Sequence, residues 1–247
     1  MTSWLDPLRS ALDAVEEPVR FFFRDDDAGW DDAALERVLD VFEPSGLPLD
    51  VAAIPTAMSS RTVELLTGRE GRIGRDGVTV HQHGFAHVNH EPAGRKCEFG
   101  VSRSPGQQAE DVAAGRALLR ELVGDVPAVF TPPWNRCAPW TAEVLRELGF
   151  EVLSRDLSAG SADVAELREL PVTVDWFAKL KRVPVDRGGR GELLAGSARG
   201  SRPVGVMLHH AVMSEEDLDD LRALLALVAA HGSASAAHLD KLALEPA

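Results

Sequence analysis

The chain contains no tyrosine and only two cysteines, and each shortage excludes a class of chemistry. Without tyrosine, no phenol is available as an acid, a base or a nucleophile. Cys97 and Cys137 are too few for a disulfide framework and are typical of a reducing compartment. We expect Cys137 to be a small packing residue rather than a nucleophile, because no partner motif surrounds it.

Long apolar runs and positive charge are also scarce. No run approaches the length that spans a bilayer, and residues 1–20 lack the apolar centre of a signal peptide, so the sequence predicts a cytoplasmic protein. The chain has 26 Lys and Arg against 39 Asp and Glu, a net charge of −13. This balance argues against nucleic acid or an anionic membrane as the main partner. A small-molecule or glycan substrate is compatible with it, and the oligomeric state stays open.

Short apolar runs alternate with helical patterns along the 247 residues, and this alternation predicts an α/β protein with a parallel sheet. Strands are predicted over residues 19–24, 48–55, 78–81, 128–131, 150–155 and 204–208, with an extended stretch over 171–176. Helices are predicted over residues 31–42, 60–66, 104–124, 141–148, 164–170 and 214–232, with a short helix in the tail, 234–247. Residues 186–202 are rich in glycine and arginine and are typical of a lid or a disordered loop.

Two histidines follow the third predicted strand with a spacing of four residues. His83 and His87 could bind one ion from a single helical turn or tight loop. A polar loop with solvated histidines is an equally good interpretation of this pair alone. The neighbouring His81 and His90 are expected to support the pair or to lie at the surface.

Three aspartates, Asp25, Asp26 and Asp27, follow the first predicted strand. Adjacent buried carboxylates repel each other by several kcal/mol unless a cation or a proton is shared. They are therefore candidates for a metal site. The alternative is a helix N-cap cluster before the helix that begins at Asp31, although capping requires only one aspartate.

Polar residues collect at the C-terminal ends of most predicted strands. A barrel would bring all of these ends to one rim, whereas an open sheet would bring only a few together. The wide distribution therefore favours a barrel. The residues concerned are Asp25 to Asp27, His83, His87, Pro133 to Asn135, Asp156, Asp175 and His209.

Four motifs in this order resemble the polysaccharide deacetylases of the NodB-homology family, which are similar to carbohydrate esterase family 4. The motifs are an Asp-Asp pair after the first strand, a His-x-x-x-His after the third, a Pro-aromatic after the fourth and a Leu-His late in the chain. The resemblance covers residues 19–213. It implies a distorted (β/α)7-type barrel, and one catalytic domain over residues 1–247 with C-terminal helices over 214–247.

The resemblance also implies a metal and an acid–base pair. Asp27, His83 and His87 would bind one divalent ion, usually zinc but sometimes cobalt or nickel. Asp26 would be the general base, with Asp25 as the alternative, and His209 the general acid.

Further residues are assigned by the same resemblance. Asp175 would orient the acid histidine, and Asp156 competes for this role. Pro133 and Trp134 would form a groove wall, with Asn135 and Trp30 as further substrate-binding residues.

Three positions depart from the family pattern. Thr131 stands where the family has an arginine that pairs with the base, and Arg24, Arg136 or Arg155 are possible substitutes. Gly84 replaces a serine or threonine after the first metal histidine. His210 replaces an aspartate after the acid histidine.

These features predict a metal-dependent hydrolase that removes an N-acetyl or related acyl group from a sugar or a sugar-containing small molecule. The absence of an export signal favours an intracellular substrate over a cell-wall polymer. Two alternatives remain: an amidohydrolase acting on a non-sugar C–N bond, and a catalytically silent barrel that binds metal or sugar.

Overall fold

A computed structural model describes residues 3–68, 77–180 and 183–245 of the chain. The helices are α1 (Asp6–Ala14), α2 (Asp32–Phe42), α3 (Ser60–Thr67), α4 (Pro105–Val123), α5 (Thr141–Glu147), α6 (Arg187–Ala198), α7 (Glu215–Ala230) and α8 (Leu239–Leu242). The strands are β1 (Val19–Ala28), β2 (Leu49–Ala53), β3 (Val78–His83), β4 (Val129–Thr131), β5 (Val152–Leu153), β6 (Arg168–Glu169), β7 (Val174–Asp175), β8 (Lys179–Leu180), β9 (Val183–Pro184), β10 (Val204–Leu208) and β11 (Ala234–Ala236). Among the helices of these described ranges, none combines the length and apolar character that crossing a membrane requires.

The main sheet is parallel and curls into a distorted barrel. Its strand order is β6-β5-β4-β3-β2-β1-β10-β7, with β11 paired to β1. Residues 168–175 form one extended segment that joins the two ends of this order. The Leu170 N–H donates to Leu153 on β5 (3.1 Å), and the Thr173 N–H donates to Gly205 on β10 (2.9 Å). The predicted (β/α)7-type barrel is thus confirmed.

The first strand separates two apolar environments. Phe22 packs inside the barrel with apolar residues of β4, β5 and β10, whereas Phe23 packs outside with α2 and α7. Side chains alternate across a strand. Arg24 and Asp26 therefore share the inner face with Phe22, while Asp25 shares the outer face with Phe23. This alternation decides which chemistry each charged residue can perform.

Helix α8 closes the end of the barrel at which the parallel strands begin. Leu239 and Leu242 join the inner apolar cluster. The buried Asp50 on β2 accepts the Leu239 N–H (3.1 Å), and its other oxygen lies 3.1 Å from Nδ1 of His238. Helix α8 therefore packs into the barrel at the end where the strands begin.

The predicted helix starts are confirmed at three caps. Asp31 accepts the Ala34 N–H (3.1 Å) at the start of α2. Ser104 and Ser214 form reciprocal capping boxes with the residues three positions later, at the starts of α4 and α7. Each cap satisfies an N–H that the first turn of a helix leaves unpaired.

The prediction of a lid or disordered loop over residues 186–202 is wrong, because helix α6 occupies most of it. Asp186 caps this helix by accepting the Gly189 N–H (2.7 Å). A Cβ at Gly191 would lie 2.0 Å from the Trp4 carbonyl oxygen. Glycine here thus allows close packing of α6 against the N-terminal segment, a tertiary contact that composition does not reveal.

Two shorter predictions also need correction. Residues 164–170 do not form a helix: Glu166 has φ +65°, and the Arg168 N–H donates to Glu151 (2.8 Å), which places this segment in the sheet. The tail is not helical from its start: it begins with strand β11, and the short helix follows. Strand β11 pairs with Val19–Phe21, the part of β1 that precedes the residues paired with β2. Strands β1 and β3 also extend further than predicted, to Ala28 and His83.

Candidate metal centre

Asp27, His83 and His87 converge at the C-terminal end of the sheet. His83 ends β3, and His87 lies in the histidine loop, residues 84–88. The Nε2 atoms of both histidines lie 3.1 Å from Oδ1 of Asp27. One potential ligand atom from each residue lies within 4.8 Å of the other two. These three side chains therefore meet at distances that one ion could span.

The hydrogen bond at Nδ1 of His83, the ring nitrogen that faces away from Asp27, indicates that a proton or a metal ion belongs between Nε2 and the carboxylate. Nδ1 of His83 lies 3.1 Å from the Thr131 carbonyl oxygen, which can only accept, so Nδ1 carries the hydrogen. In the neutral ring, Nε2 then turns a lone pair toward the Asp27 carboxylate. Two acceptors at 3.1 Å repel unless a proton or a metal ion lies between them. A carbonyl that fixes the tautomer in this way is typical of metal-binding histidines.

The electrostatics of Asp27 agree with a cation-binding role. Burial alone would raise the pKa of this carboxyl, but the His83 and His87 rings hold the pKa below its usual range. Asp27 is therefore a carboxylate at neutral pH. A carboxylate and two imidazoles form a donor set that suits zinc and related divalent ions and leaves coordination positions free.

A β-bulge explains why the consecutive residues Asp26 and Asp27 both line one cavity, the metal cavity, which His83, His87 and His209 also line. The ladder between β1 and β2 shifts between Asp25 and Ala28, and Asp27 has φ +72°. Bulges re-aim side chains that would otherwise alternate. A non-glycine residue in this conformation costs on the order of 1 kcal/mol, and such strain is often found at functional sites.

The histidine loop is held by a buried glutamate. Glu98 accepts the N–H groups of Phe85 (3.1 Å) and Ala86 (2.8 Å), and the Val88 N–H lies 3.4 Å away. Gly84 has φ +61°, and a Cβ there would lie 2.2 Å from the Glu98 carboxylate. The glycine at this position therefore allows the loop to close over Glu98, which fixes the backbone that carries His87.

Arg24 pairs with Asp26 on the inner face of β1. Its Nε and Nη2 atoms donate to the two carboxylate oxygens at 2.8 and 2.9 Å, and both side chains are buried. The same guanidinium donates to Ser154 Oγ (2.7 Å) and Asn135 Oδ1 (2.7 Å). Although burial opposes it, the Arg24 charge lowers the pKa of Asp26. Asp26 is thus an ionised carboxylate beside the cluster of Asp27, His83 and His87.

The three substitutes considered for the family arginine lie in different places. Arg24 contacts Asp26, whereas Arg155 pairs with Glu169 (2.7 Å) and Arg136 lines a neighbouring cavity. Thr131 itself bonds to His81 Nε2 (2.9 Å). Burial and the Arg24 charge lower the pKa of His81 to about 3, so His81 is a neutral, buried residue. Of these three arginines, Arg24 is therefore the one that bonds to Asp26 within the described part of the chain.

Asp25 has a different partner on the outer face. Its carboxylate accepts the His210 backbone N–H (2.9 Å) and lies 2.7 Å from His210 Nδ1. His210 Nε2 donates to the Trp30 carbonyl oxygen (2.6 Å). Burial alone would lower the pKa of His210, but Asp25 and the Trp30 carbonyl raise it to about 9. Asp25 does not line the metal cavity.

His209 lines the cavity, but Asp175 does not. The cavity has a volume of about 340 Å³ and its lining includes Asp26, Asp27 and His209. Burial raises the pKa of Asp175, and the nearby His209 lowers it by a smaller amount. Between these two described side chains the structure has no hydrogen bond; Asp175 instead accepts the Phe177 N–H (2.9 Å).

Aromatic side chains form the rim of this cavity. The His87 ring lies between Trp30 and Trp134, with ring centres 4.6 and 4.4 Å away. Asn135 also lines the cavity, whereas Pro133 is buried and packs against Gly84 instead. Trp30 is 42% exposed, so an apolar surface is available to a ligand.

Sequence reasoning missed three residues around the site. Glu98 holds the histidine loop, Ser154 supports Arg24, and Lys96 lines the cavity. Glu98 and Lys96 lie in a long polar loop that follows a predicted site, which was the available signal. Ser154 carried no signal, because its role depends on the closure of the barrel.

No family model and no curated protein sequence matches the chain, but solved structures do. A Mycobacterium smegmatis protein assigned to the polysaccharide deacetylases aligns with a TM-score of 0.69 and 16% identity, over 93% of this chain and 90% of its own. A family 4 acetyl xylan esterase from Clostridium thermocellum, in complex with a cobalt ion, aligns with a TM-score of 0.56 and 18% identity, over 90% of this chain and 89% of its own.

A third match differs in its activity. A carbohydrate esterase family 4 pseudoenzyme from Bacillus anthracis aligns with a TM-score of 0.61 and 13% identity, over 92% of this chain and 66% of its own. Identities this low establish a shared fold and leave activity to be argued from the site. The chain has the fold of the polysaccharide deacetylases and family 4 carbohydrate esterases.

Proposed function

We propose that this protein is a metal-dependent hydrolase that removes an N-acetyl or related acyl group from a sugar or a sugar-containing small molecule. The observation that carries the proposal is the convergence of Asp27, His83 and His87 in one cavity with Asp26 and His209. A metal-binding cluster, a carboxylate base and a histidine acid are groups with which metal-assisted amide hydrolysis can proceed.

In this proposal Asp27, His83 and His87 hold one divalent ion. Zinc suits the donor set best, and cobalt or nickel would also be accommodated. When bound, the ion would polarise the acyl oxygen and lower the pKa of nearby water. The Thr131 carbonyl and Glu98 keep the histidines oriented for this role.

Asp26 acts as the general base. The bidentate contact with Arg24 keeps its carboxylate ionised and fixes its orientation, so it can accept a proton from the attacking water. Asp25 is a poorer candidate, because both of its oxygens face His210 on the other side of the strand.

His209 acts as the general acid that protonates the leaving amine. It lines the same cavity as Asp26, and the two side chains are close enough to interact electrostatically. Asp175 assists through its nearby negative charge, as a positioning residue without direct contact to the substrate. Trp30 and Trp134 offer aromatic faces against which a sugar ring can pack.

The alternative is a catalytically silent barrel, favoured by Thr131 in place of the family arginine and by the fold similarity to a pseudoenzyme. The Arg24–Asp26 pair argues for activity, because it restores the charge that Thr131 lacks. A non-sugar amide as substrate would retain the same site residues, and a substrate panel separates it from sugars.

Acetate release tests the proposal. The zinc-, cobalt- or nickel-loaded protein is incubated with N-acetylglucosamine, N-acetylgalactosamine, N-acetylglucosamine 6-phosphate, N,N′-diacetylchitobiose and a non-sugar acetamide. We expect acetate from at least one sugar, and a loss of about 10²- to 10⁴-fold in Asp26→Asn and His209→Ala. His231→Ala, whose ring contacts Asp13 at the surface, is the matched control. Metal uptake without acetate from any substrate would favour the silent barrel.

A further inference from the structure

A second cavity adjoins the metal cavity and shares a wall with it. It has a volume of about 400 Å³, and Asn135 lines both. Part of its lining comes from the polar loop, residues 90–103, and part from the segment that follows Trp134. The two cavities therefore lie next to each other, with Asn135 between them.

Three cations surround the junction of the two cavities. Arg95 and Arg136 line the second cavity, and Lys96 lines the metal cavity. The Lys96 Nζ atom lies 5.9 Å from the centre of the Trp134 ring. Arg136 Nη1 donates to the Lys96 carbonyl oxygen (3.1 Å), so the polar loop is fixed to the segment that carries Trp134.

The other charged residues of the second cavity already have partners. Arg155 donates to Glu169 (2.7 Å). Glu91 accepts both the N–H (3.0 Å) and the hydroxyl (2.8 Å) of Ser102. In the portion of the chain that the structure describes, by contrast, no ion pair joins a carboxylate to any of the three cations.

The three cations therefore have no ion-pair partner among the described residues, in a chain with 39 acidic and 26 basic residues. Of the residues that the structure describes, Glu91 is the one carboxylate that lines the second cavity, and its oxygens bind Ser102. Burial lowers the pKa of Arg136, and the charge of Arg95 lowers it further, so the two guanidinium groups are near enough to repel each other. An anion between them would relieve this repulsion and accept charge-assisted hydrogen bonds.

We propose that Arg95, Lys96 and Arg136 form a subsite for an anionic group, a carboxylate or a phosphate, on the substrate. The inference rests on the proposed function for the acyl group, and it adds that the substrate is an acidic N-acylated molecule. The metal centre binds the acyl end, while the cations bind the charged end across Asn135. This subsite would select against neutral N-acetyl sugars.

Calorimetric binding of deacetylated sugars tests the subsite without turnover, because no acyl group remains to be hydrolysed. The probes are glucosamine, glucosamine 6-phosphate and muramic acid. All three carry the same amine, and they separate the cases of no acidic group, a phosphate and a carboxylate. The variants are Arg95→Gln, Lys96→Gln and the double variant Arg95→Gln/Arg136→Gln. Arg95 and Lys96 are exposed, so their single variants are expected to fold. Arg120→Gln removes one exposed positive charge elsewhere and is the matched control.

We expect at least one anionic sugar to bind about tenfold or more tightly than glucosamine, which is typical of charge-assisted hydrogen bonds. This preference should fall in each variant and at high salt, and persist in Arg120→Gln. Equal binding of glucosamine and the two acidic sugars would overturn the inference, as would a preference that survives in Arg95→Gln and Lys96→Gln. Absence of acetate release would instead contradict the proposed hydrolase, since binding is measured independently.

Discussion

Two buried ion pairs lie on opposite faces of β1, and they differ in what surrounds them. On the inner face Arg24 pairs with Asp26, and the carboxylate lines the metal cavity. On the outer face Asp25 pairs with His210, whose ring reaches the Trp30 carbonyl. All four side chains are buried, yet only the inner pair is next to a space that a substrate could enter.

This difference assigns separate roles to neighbouring carboxylates. Asp25 and His210 connect β1 to the segments that carry Trp30 and His209, so the outer pair stabilises the architecture. Asp26 is held by Arg24 with its carboxylate at the cavity, so the inner pair is available for proton transfer. Burial and ionic pairing are common to both, and the face of the strand distinguishes them.

The largest expected effect comes from exchanging the two carboxylates for amides. Asp26→Asn should lower the rate of acyl release by about a thousandfold, because the base is lost. Asp25→Asn should lower the free energy of unfolding by about 3 kcal/mol and affect the rate far less. Kinetics and urea denaturation of both variants measure this contrast. Equal losses of rate in two fully folded variants would remove the distinction.

Arg24 gives the next test, on the inner pair alone. Arg24→Gln leaves Asp26 buried without a cation and should lower the free energy of unfolding by about 3 kcal/mol. Arg24→Lys keeps the charge but not the bidentate geometry, so it should recover only part of the loss. Chemical denaturation of the three proteins measures the difference. Full recovery with lysine would show that charge, rather than the fork of hydrogen bonds, matters here.

The outer pair should make stability depend on pH. Since the pKa of His210 is raised to about 9, its contribution is complete below about pH 6.5, the usual value for histidine. The contribution is lost as the pH rises through 9, because the folded protein then releases the proton. The stability difference between wild type and His210→Asn should shrink by about 3 kcal/mol over this range. A constant difference would mean that His210 is neutral in the fold.

A smaller effect is expected from Glu98, a buried carboxylate that binds backbone N–H groups instead of a cation. Glu98→Gln loses an acceptor and loosens the histidine loop, so metal affinity should fall by about tenfold while Asp27 and His83 stay in place. Competition with a chelator measures this affinity. An unchanged affinity would mean that His87 does not depend on the loop anchor.

Much of the fold followed from local patterns in the sequence. The apolar runs before Asp25, His83 and His209 predicted the strands, and Asp31 and Ser214 predicted helix starts. Helix α6 was missed because its four glycines are poor helix formers. Its stability comes from packing against α1 and against Trp4, which Gly191 approaches closely, and these contacts are not visible in the sequence.

Less of the site than of the fold could be predicted from local patterns. Arg24 and Asp26 are two residues apart on a strand, so the same face was expected, and their pairing could have been inferred. The bulge that turns Asp27 toward His83 could not, because it depends on the register between β1 and β2. The support from Glu98 required the path of a long loop, which local patterns do not determine.

The central claim is that Asp27, His83 and His87 form a metal centre, and elemental analysis of the purified protein tests it most directly. The wild type and His231→Ala should contain about one divalent transition metal per chain, and Asp27→Ala and His83→Ala should lose it. A wild type that is free of metal and does not take up added zinc, cobalt or nickel would contradict the claim, and so would a metal that both variants retain.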